Sequence, residues 1–587
     1  MKIVLATLNA KYIHASLALR YLRAYAREDF PNLDLCEYTI KDAPMNVAAD
    51  IHKRKPDVVG FSCYIWNIEE TITIIQMLRK TNPNLKIVLG GPEVSYDSEY
   101  WMERLPEVDF IVFGEGEKTF HHLLKEIEGQ QRYELVPGML YRDGEGLVKR
   151  TFPREKLTLD DVPSPYDDDE LPELVNRVVY FECSRGCPFS CSFCLSSIET
   201  GVRYFPLERT LAELKRLIDA GVKTIKFVDR TFNIHRRYAL TVFDFLIKNR
   251  KNTIFQFEIT ADILKPDVVQ FLAENAPPGL FRFEIGVQST NDDVNIAVNR
   301  KQDWEKLTRT VLGVKNTGKI DQHLDLIAGL PGEDYQSFRK TFNDVFDLGI
   351  EELQLGFLKM LRGTGVRANA EKNEYQYMDR APYEILSNNV LSFDDVIRIK
   401  RVEDVLEKFW NAHRSDRTVK FLVRHEFASP WDFFQEFGDY WEERGWNRIG
   451  HQLEDLFKRL YQFLAARGIK HLDVALGLMK LDYLEAFKTK ARSIWWERSL
   501  DKSESQRLIA DLAAHPEQLG AEFASLGLSE QEIHKYCLLE VLPFDLKLAE
   551  AGTLVESGEP HVLVAYYGRG QGQEPVYFAG PMQLTFA

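Results

Sequence analysis

Residues 178–194 read Val178-Val-Tyr-Phe-Glu182-Cys-Ser-Arg-Gly-Cys187-Pro-Phe-Ser-Cys191-Ser-Phe-Cys194. The run Val178–Glu182 is short, apolar and rich in β-branched and aromatic residues, which predicts a buried strand. Five similar runs follow at Thr224–Val228, Ile254–Thr260, Arg282–Val287, His323–Ile327 and Glu352–Leu358, with helical periodicity between them. Strands alternating with helices need crossover connections and form a parallel sheet. Six such units in about 185 residues are too few for a closed eight-fold barrel. The expectation for residues 176–380 is therefore an open, partial (β/α)6 barrel with its active site at the C-terminal strand ends.

Upstream, Met1–Leu5, Asp57–Ser62, Lys86–Leu89 and Phe110–Phe113 predict buried strands, with helices over Ala15–Ala26 and from about Lys118. That alternation predicts an α/β domain, a doubly wound parallel sheet over residues 1–130, whose ligand site lies at the carboxyl ends of the strands. Residues 131–175 carry scattered Pro and Gly and the acidic run Asp167–Glu170, the composition of a connector. Residues 381–587 change to a mostly helical texture, with helices over Phe393–Asn411 and Ile449–Arg467. They end in a predicted β-hairpin, His561–Tyr567 with Glu574–Ala579, across Gly-Arg-Gly-Gln-Gly.

Composition narrows the function. The 587 residues hold 74 basic and 89 acidic side chains, a net charge of −15. Sequence-independent nucleic-acid binding depends on neutralising phosphates, so this balance disfavours it. The N-terminal apolar run is too short for a secretory segment, and no stretch approaches a membrane span. Of seven cysteines, four fall between Cys183 and Cys194, unlike a disulfide framework. The expectation is a cytoplasmic protein with a metal site and no membrane partner.

The C-x3-C-x2-C spacing of Cys187, Cys191 and Cys194 suits a [4Fe–4S] cluster with three thiolate ligands and one iron left open. Structural zinc sites pair cysteines in two halves, and this chain has no second half. Cys183 reads as a small core residue.

These cysteines, with Phe193 before the last, resemble the motif of the radical S-adenosylmethionine superfamily, in which the open iron chelates the amine and carboxylate of S-adenosylmethionine. Phe283-Glu-Ile-Gly-Val-Gln-Ser289 resembles the family's E-x-G-x-Q-S segment, which implies cofactor contacts from Glu284, Gln288 and Ser289. Glu284 and Gln288 share one strand face by the period of two. By the same resemblance Arg300 pairs with the S-adenosylmethionine carboxylate. Asp229 stands where the family binds the methionyl amine, although the Gly-Gly-Glu form is absent. Asp325–Glu333 resembles the segment whose glycines admit the adenosyl group.

The first domain resembles the cobalamin-binding domain of one branch of that superfamily, through Gly60-Phe-Ser62, Gly90-Gly91-Pro-Glu-Val and Gly114-Glu-Gly-Glu117. The resemblance implies that Ser62, Gly90 and Gly91 line the slot for the nucleotide tail, and that Gly114 and Gly116 let backbone pass close to tail or corrin. His14 keeps the histidine of the cobalt-ligating D-x-H-x-x-G motif but neither its aspartate nor its glycine. Without an orienting carboxylate a structural or phosphate-contacting histidine is the favoured reading, with a cobalt ligand as the alternative. The last two hundred residues resemble an uncharacterised extension found on a subset of these enzymes.

Together these readings imply an enzyme with a [4Fe–4S] cluster, S-adenosylmethionine and cobalamin. They imply methylation of an unactivated position of a small-molecule or peptide substrate through a 5′-deoxyadenosyl radical, with a reducing partner such as flavodoxin or ferredoxin. Rearrangement or ring formation without methyl transfer, and a cobalamin- or redox-sensing module, stay open. No substrate-side base is named.

Overall fold

The computed structural model describes residues 1–198, 201–487, 489–491, 493–555, 558–568 and 575–582. It divides into two compact units, Met1–Thr341 with Leu348–Phe393, and Phe342–Asp347 with Asp394–Ala587. Among the described residues no helix is long and apolar enough to cross a membrane.

The first unit begins with β1 (Ile3–Asn9), β2 (Leu33–Thr39), β3 (Val58–Ser62), β4 (Lys86–Gly90) and β5 (Phe110–Val112), all parallel. Alternation puts Ile3 and Leu5 on one face with the helices Leu17–Ala26 and Glu117–Glu128. Val4, Ala6 and Leu8 face the helices Pro44–Lys53 and Ile68–Thr81. Both faces are covered, so β1 and β3 read as unbroken apolar runs. The sheet continues through β6 (Met139–Arg142) and β7 (Val148–Arg150), both antiparallel, in the order β2-β1-β3-β4-β5-β6-β7.

Two departures from the sequence reading have physical causes. In β2 only Cys36 is fully buried, so an edge strand carrying Asp34 and Glu37 looks like polar surface. The hairpin β6–β7 lies inside the stretch expected to be a connector. Its strands, of four and three residues, are too short for periodicity to show.

A second parallel sheet follows in the same unit. Its strands are β8 (Val178–Phe181), then β11 (Thr224–Phe227), β12 (Ile254–Ile259), β13 (Phe281–Gln288), β14 (Ile320–Ala328) and β15 (Glu352–Phe357), in the order β15-β14-β13-β12-β11-β8. Between β8 and β11 lies a small antiparallel ladder of β9 (Ser184–Arg185) and β10 (Arg203–Tyr204). A last short pair, β16 (Gln376–Tyr377) and β17 (Ile385–Ser387), follows β15. The six-stranded sheet is the expected open, partial (β/α)6 barrel. Strict alternation in β13 turns Phe281, Phe283, Ile285 and Val287 outward to the helices and Arg282, Glu284 and Gln288 to the interior. The outer core is aromatic: Phe257 stacks on Phe227 at 4.3 Å and meets Phe232 and Phe243 at 4.5 and 5.1 Å.

The second unit is mostly helical and ends in an antiparallel sheet of β18 (Cys537–Leu542), β19 (His561–Tyr566) and β20 (Val576–Pro581). The expected hairpin is β19–β20, with β18 added on the other side of β19. Residues 569–572 of the expected turn, and Glu574, lie outside the described residues.

Phe257→Ala empties the centre of the barrel's aromatic core and should destabilise the unit by about 3–5 kcal/mol. The expected result is a lower urea midpoint; an unchanged one would contradict this packing.

Candidate functional site

The cysteine loop leaves and re-enters the barrel through one narrow neck. Gly186 has φ +99°, and a Cβ there would come within 2.0 Å of the Gly201 carbonyl oxygen, so the neck requires glycine. The ladder β9–β10 closes it. Asp229, which follows β11, is buried and holds it from below. Its carboxylate accepts the Cys183 N–H at 3.0 Å and the Ser184 hydroxyl. Burial lifts the Asp229 carboxyl to about 7 against those two hydrogen bonds.

Within the loop Cys187 and Cys191 are buried and Cys194 is half-buried, all as free thiols. The Cys194 N–H donates to the Cys191 carbonyl at 3.1 Å, and the Ser192 N–H to the Val298 carbonyl at 2.8 Å. Burial pushes the Cys187 and Cys191 thiols up. The charges of neighbouring cysteines act in the same direction, which places the three within electrostatic reach. Arg230 opposes this at Cys187. Arg300, whose Nη1 is 4.0 Å from the Cys191 sulfur, opposes it at Cys191.

Among the described residues no group of three His, Cys, Asp or Glu side chains converges as one mononuclear ion requires. A [4Fe–4S] cube takes one thiolate per iron, so its ligands stand apart around it. Three neighbouring free thiols on a pinched loop, with arginines nearby, fit that donor chemistry.

Beside the loop, Arg300 donates to the Gly286 carbonyl and to Gln302 Oε1, the latter at 3.0 Å. Gln288 sits at a β-bulge with φ +69°, and its buried Oε1 has no partner. Its amide lies over Gly286, where a Cβ would be 2.4 Å away. An orphaned amide oxygen next to Arg300 fits a site completed by a polar ligand. Glu284 is held by Lys226 at 2.7 Å.

Two residues expected at the cofactor, Ser289 and Asp229, make hydrogen bonds within the protein. Ser289 is fully buried and donates to Glu333 at 2.6 Å, a carboxylate that also accepts from Thr341 at 2.9 Å. Its side chain, like that of Asp229, is turned into the protein and spent on bracing loops. Within the Asp325–Glu333 segment, Gly329, at φ +92°, gives room to Ile385 of β17.

The strand ends of the two sheets enclose a cavity of about 720 Å³. From the first sheet come Ser62, Gly90, Gly91, Gly114, Gly116 and His14, and from the barrel Tyr180, Glu182, Arg185, Val228, Arg230 and Glu258. The glycines keep this side open. A Cβ on Gly91, at φ +102°, would strike the Cys63 carbonyl at 2.6 Å, whereas Gly114 has nothing within 4 Å. Ser62 donates to Thr7 Oγ1 at 2.9 Å. The His14 ring stacks on Tyr180, with Nδ1 2.9 Å from the tyrosine hydroxyl. Burial first, then Lys11, Lys226 and Arg177, depress the histidine pKa and keep it neutral. The Tyr180 hydroxyl at Nδ1 is a hydrogen-bond partner of the kind a structural histidine has.

The cluster cysteines, Glu284, Gln288 and Arg300 are not part of this wall. Arg230 connects the two places, since it lines the cavity while its charge acts at both Cys187 and Glu258. Several wall residues escaped the sequence reading. Glu258 is raised by burial and by Glu284 and Asp325, with no hydrogen bond to another described residue. Tyr64 and Trp66 stack at 4.3 Å on the opposite wall. Arg185 pairs with Glu117 at 2.6 Å, Glu182 at 2.8 Å and Glu115 at 3.4 Å, while Arg203 also binds Glu115. A visible signal was the charged Glu182 ending a buried strand; the partners in Gly-Glu-Gly-Glu were read for their glycines alone.

Comparison with known proteins gives three domain matches: a B12 binding domain over residues 3–124, the Radical SAM superfamily over 181–345, and a protein of unknown function, DUF4080, over 371–563. The chain is 29% identical over 378 residues to the cobalamin-dependent radical SAM methyltransferase TokK of Streptomyces tokunonensis, covering 60% of this chain and 54% of that protein. It is 30% identical over 366 residues to the 2-(S-pantetheinyl)-carbapenam-3-carboxylate methyltransferase of Streptantibioticus cattleyicolor, covering 56% and 51%. The chain thus spans about half the length of these relatives. In fold it is similar to the radical S-adenosylmethionine methyltransferase TsrM from Kitasatospora setae, solved with cobalamin and a [4Fe–4S] cluster bound. The TM-score is 0.54 at 16% identity, over 65% of this chain and 79% of that one.

If the three loop cysteines are the cluster ligands, anaerobic reconstitution should load about four irons per chain. Replacing Cys187, Cys191 and Cys194 together by alanine should abolish that iron, while Cys183→Ala retains it. A full cluster in the triple variant would contradict the ligand set.

Proposed function

The chain belongs to the cobalamin-binding radical S-adenosylmethionine superfamily, in the subset with a DUF4080 extension, and on that premise we propose that it methylates an unactivated position of a small-molecule or peptide substrate. The observation that carries this reading is the cavity of about 720 Å³ enclosed by the strand ends of both sheets. Transfer between two cofactors and one substrate requires all three to meet. The cavity would hold cobalamin and substrate, and Arg230, which lines it and acts at Cys187, leads to the adjoining cluster loop, so that the encounter is an oriented local step.

When bound, the cluster would supply the electron that cleaves S-adenosylmethionine, and cobalamin a methyl group for the same cavity. The chain's part is positioning. Cys187, Cys191 and Cys194 hold the cluster. Arg300 offers a fixed guanidinium fork to the S-adenosylmethionine carboxylate, and Glu284 and Gln288 face it from the barrel interior. Ser62, Gly90, Gly91, Gly114 and Gly116 leave the opposite wall open to cobalamin. On the barrel side of the cavity, Tyr180 and Glu258 present polar groups to a substrate. Apolar strand-end residues, Val112 from the first sheet and Val228 from the barrel, complete the lining. Residues 1–130 are assigned to cobalamin and residues 176–380 to the cluster. An electron donor of the flavodoxin or ferredoxin class completes the set.

The test is anaerobic turnover of the reconstituted chain with trideuteromethyl S-adenosylmethionine on a metabolite extract. Methylation gives a product heavier by the added deuterium than its unlabelled counterpart. If 5′-deoxyadenosine forms together with a rearranged, unlabelled product, methyl transfer is wrong and a rearrangement takes its place.

A further inference from the structure

The helical unit contains a group of buried polar atoms that lack partners, and they lie together. Trp441 ends the helix Pro430–Glu443 and is only 1% exposed, yet its indole N–H meets no acceptor. The ring of His451 stands 4.7 Å from that indole, and both of its nitrogens are buried and unpaired. Arg459, from the helix Leu453–Arg467, lies with its guanidinium carbon 5.2 Å from the Trp446 ring centroid and 5.7 Å from that of Trp441. Its Nη1 is buried without a partner.

Arg459 differs from three other arginines of this unit. Arg417 is paired with Asp482, Glu485 and Glu550, Arg401 with Asp439 and Glu442, and Arg467 with Glu436. No carboxylate among the described residues pairs with Arg459, and burial alone lowers its pKa. Glu454, on the same helix, is engaged with Lys458. The two tryptophan faces satisfy the guanidinium plane by cation–π contact. They do nothing for its N–H groups, which point along the plane.

The chemistry of the missing partner follows from this inventory. An indole offers a donor only, a guanidinium offers donors only, and an imidazole supplies at least one more. Buried polar groups are ordinarily hydrogen-bonded, and a buried cation is ordinarily paired. A group with several acceptor lone pairs and a negative charge meets all of these needs together. We propose that Trp441, His451 and Arg459 form a binding site for an oxyanion, the phosphate or carboxylate group of a small molecule. The site lies within the DUF4080 region, residues 371–563, and is separate from the cavity described above. Oriented N–H groups and an unpaired guanidinium are the usual recognition set for such groups.

Calorimetric titration of the full-length chain with inorganic phosphate, and separately with acetate, in a buffer with chloride as the other small anion, tests the site. Saturable binding of at least one probe is expected, and the tighter of the two tells a phosphate from a carboxylate ligand. Arg459→Gln removes the charge, and Trp441→Phe keeps the ring while deleting its N–H. Each should weaken binding by about tenfold or more, the scale of a charge-assisted hydrogen bond. His451→Gln replaces Trp441→Phe if the latter melts below the parent. Absence of saturable binding by the parent, or parent-like binding by folded variants, would overturn the proposal.

Discussion

Arg185 is the point on which the arrangement of the first unit depends. It stands two residues before Cys187, on the ladder that closes the cysteine loop, and it reaches out of the barrel to Glu115 and Glu117 of the first sheet. Glu182, at the end of β8, shares the same guanidinium. Burial opposes the arginine's charge, and the carboxylates more than reverse that effect. A buried charge stripped of one partner typically costs about 3–5 kcal/mol. Docking of the first sheet and placement of the cysteine loop are therefore one coupled event rather than two. Arg203, on the partner strand β10, repeats the connection to Glu115, and Arg177 adds Glu37 at 2.6 Å.

That coupling explains why the cavity has two unlike walls. The first sheet ends in Ser62, Gly90 and Gly91, and at Gly91 a side chain would strike the Cys63 carbonyl. The barrel ends in Tyr180, Arg230 and Glu258, which offer hydrogen bonds and charge. A charged barrel interior is stable only when its groups are paired, and Lys226 with Glu284, and Arg282 with Glu352, supply the pairs. His323 shows the strength of this environment. Burial pulls its pKa down, but hydrogen bonds to Asp325 and Glu352 lift it to about 10.

Much of this architecture was legible in the sequence. The barrel strands repeat an alternating or fully apolar texture at regular spacing, and the cysteine spacing is chemically restrictive. What stayed hidden was mostly non-local. Two partners of Arg185, Glu117 and Glu115, lie 68 and 70 positions away, and no window of sequence reveals them. Ser289 and Asp229 sit where a motif expects contact, but their orientation is decided by Glu333, Cys183 and Ser184. β2 stayed hidden because an edge strand is half polar, and β6 and β7 because they are only four and three residues long. In the helical unit, Phe393–Leu406 and Leu453–Arg467 followed from periodicity. The gathering of Trp441, His451 and Arg459 comes from the packing of two helices and the turn between them.

The proposed function requires cobalamin in the cavity and the cluster on the adjoining cysteine loop to stand close together, linked through Arg230, and electron paramagnetic resonance tests that most directly. The chain is loaded anaerobically with cob(II)alamin and its cluster reduced. Proximity predicts that the cobalt signal relaxes faster, and so saturates at higher microwave power, than in the variant lacking Cys187, Cys191 and Cys194. Identical saturation in the two proteins, with both cofactors present in the parent, would contradict it.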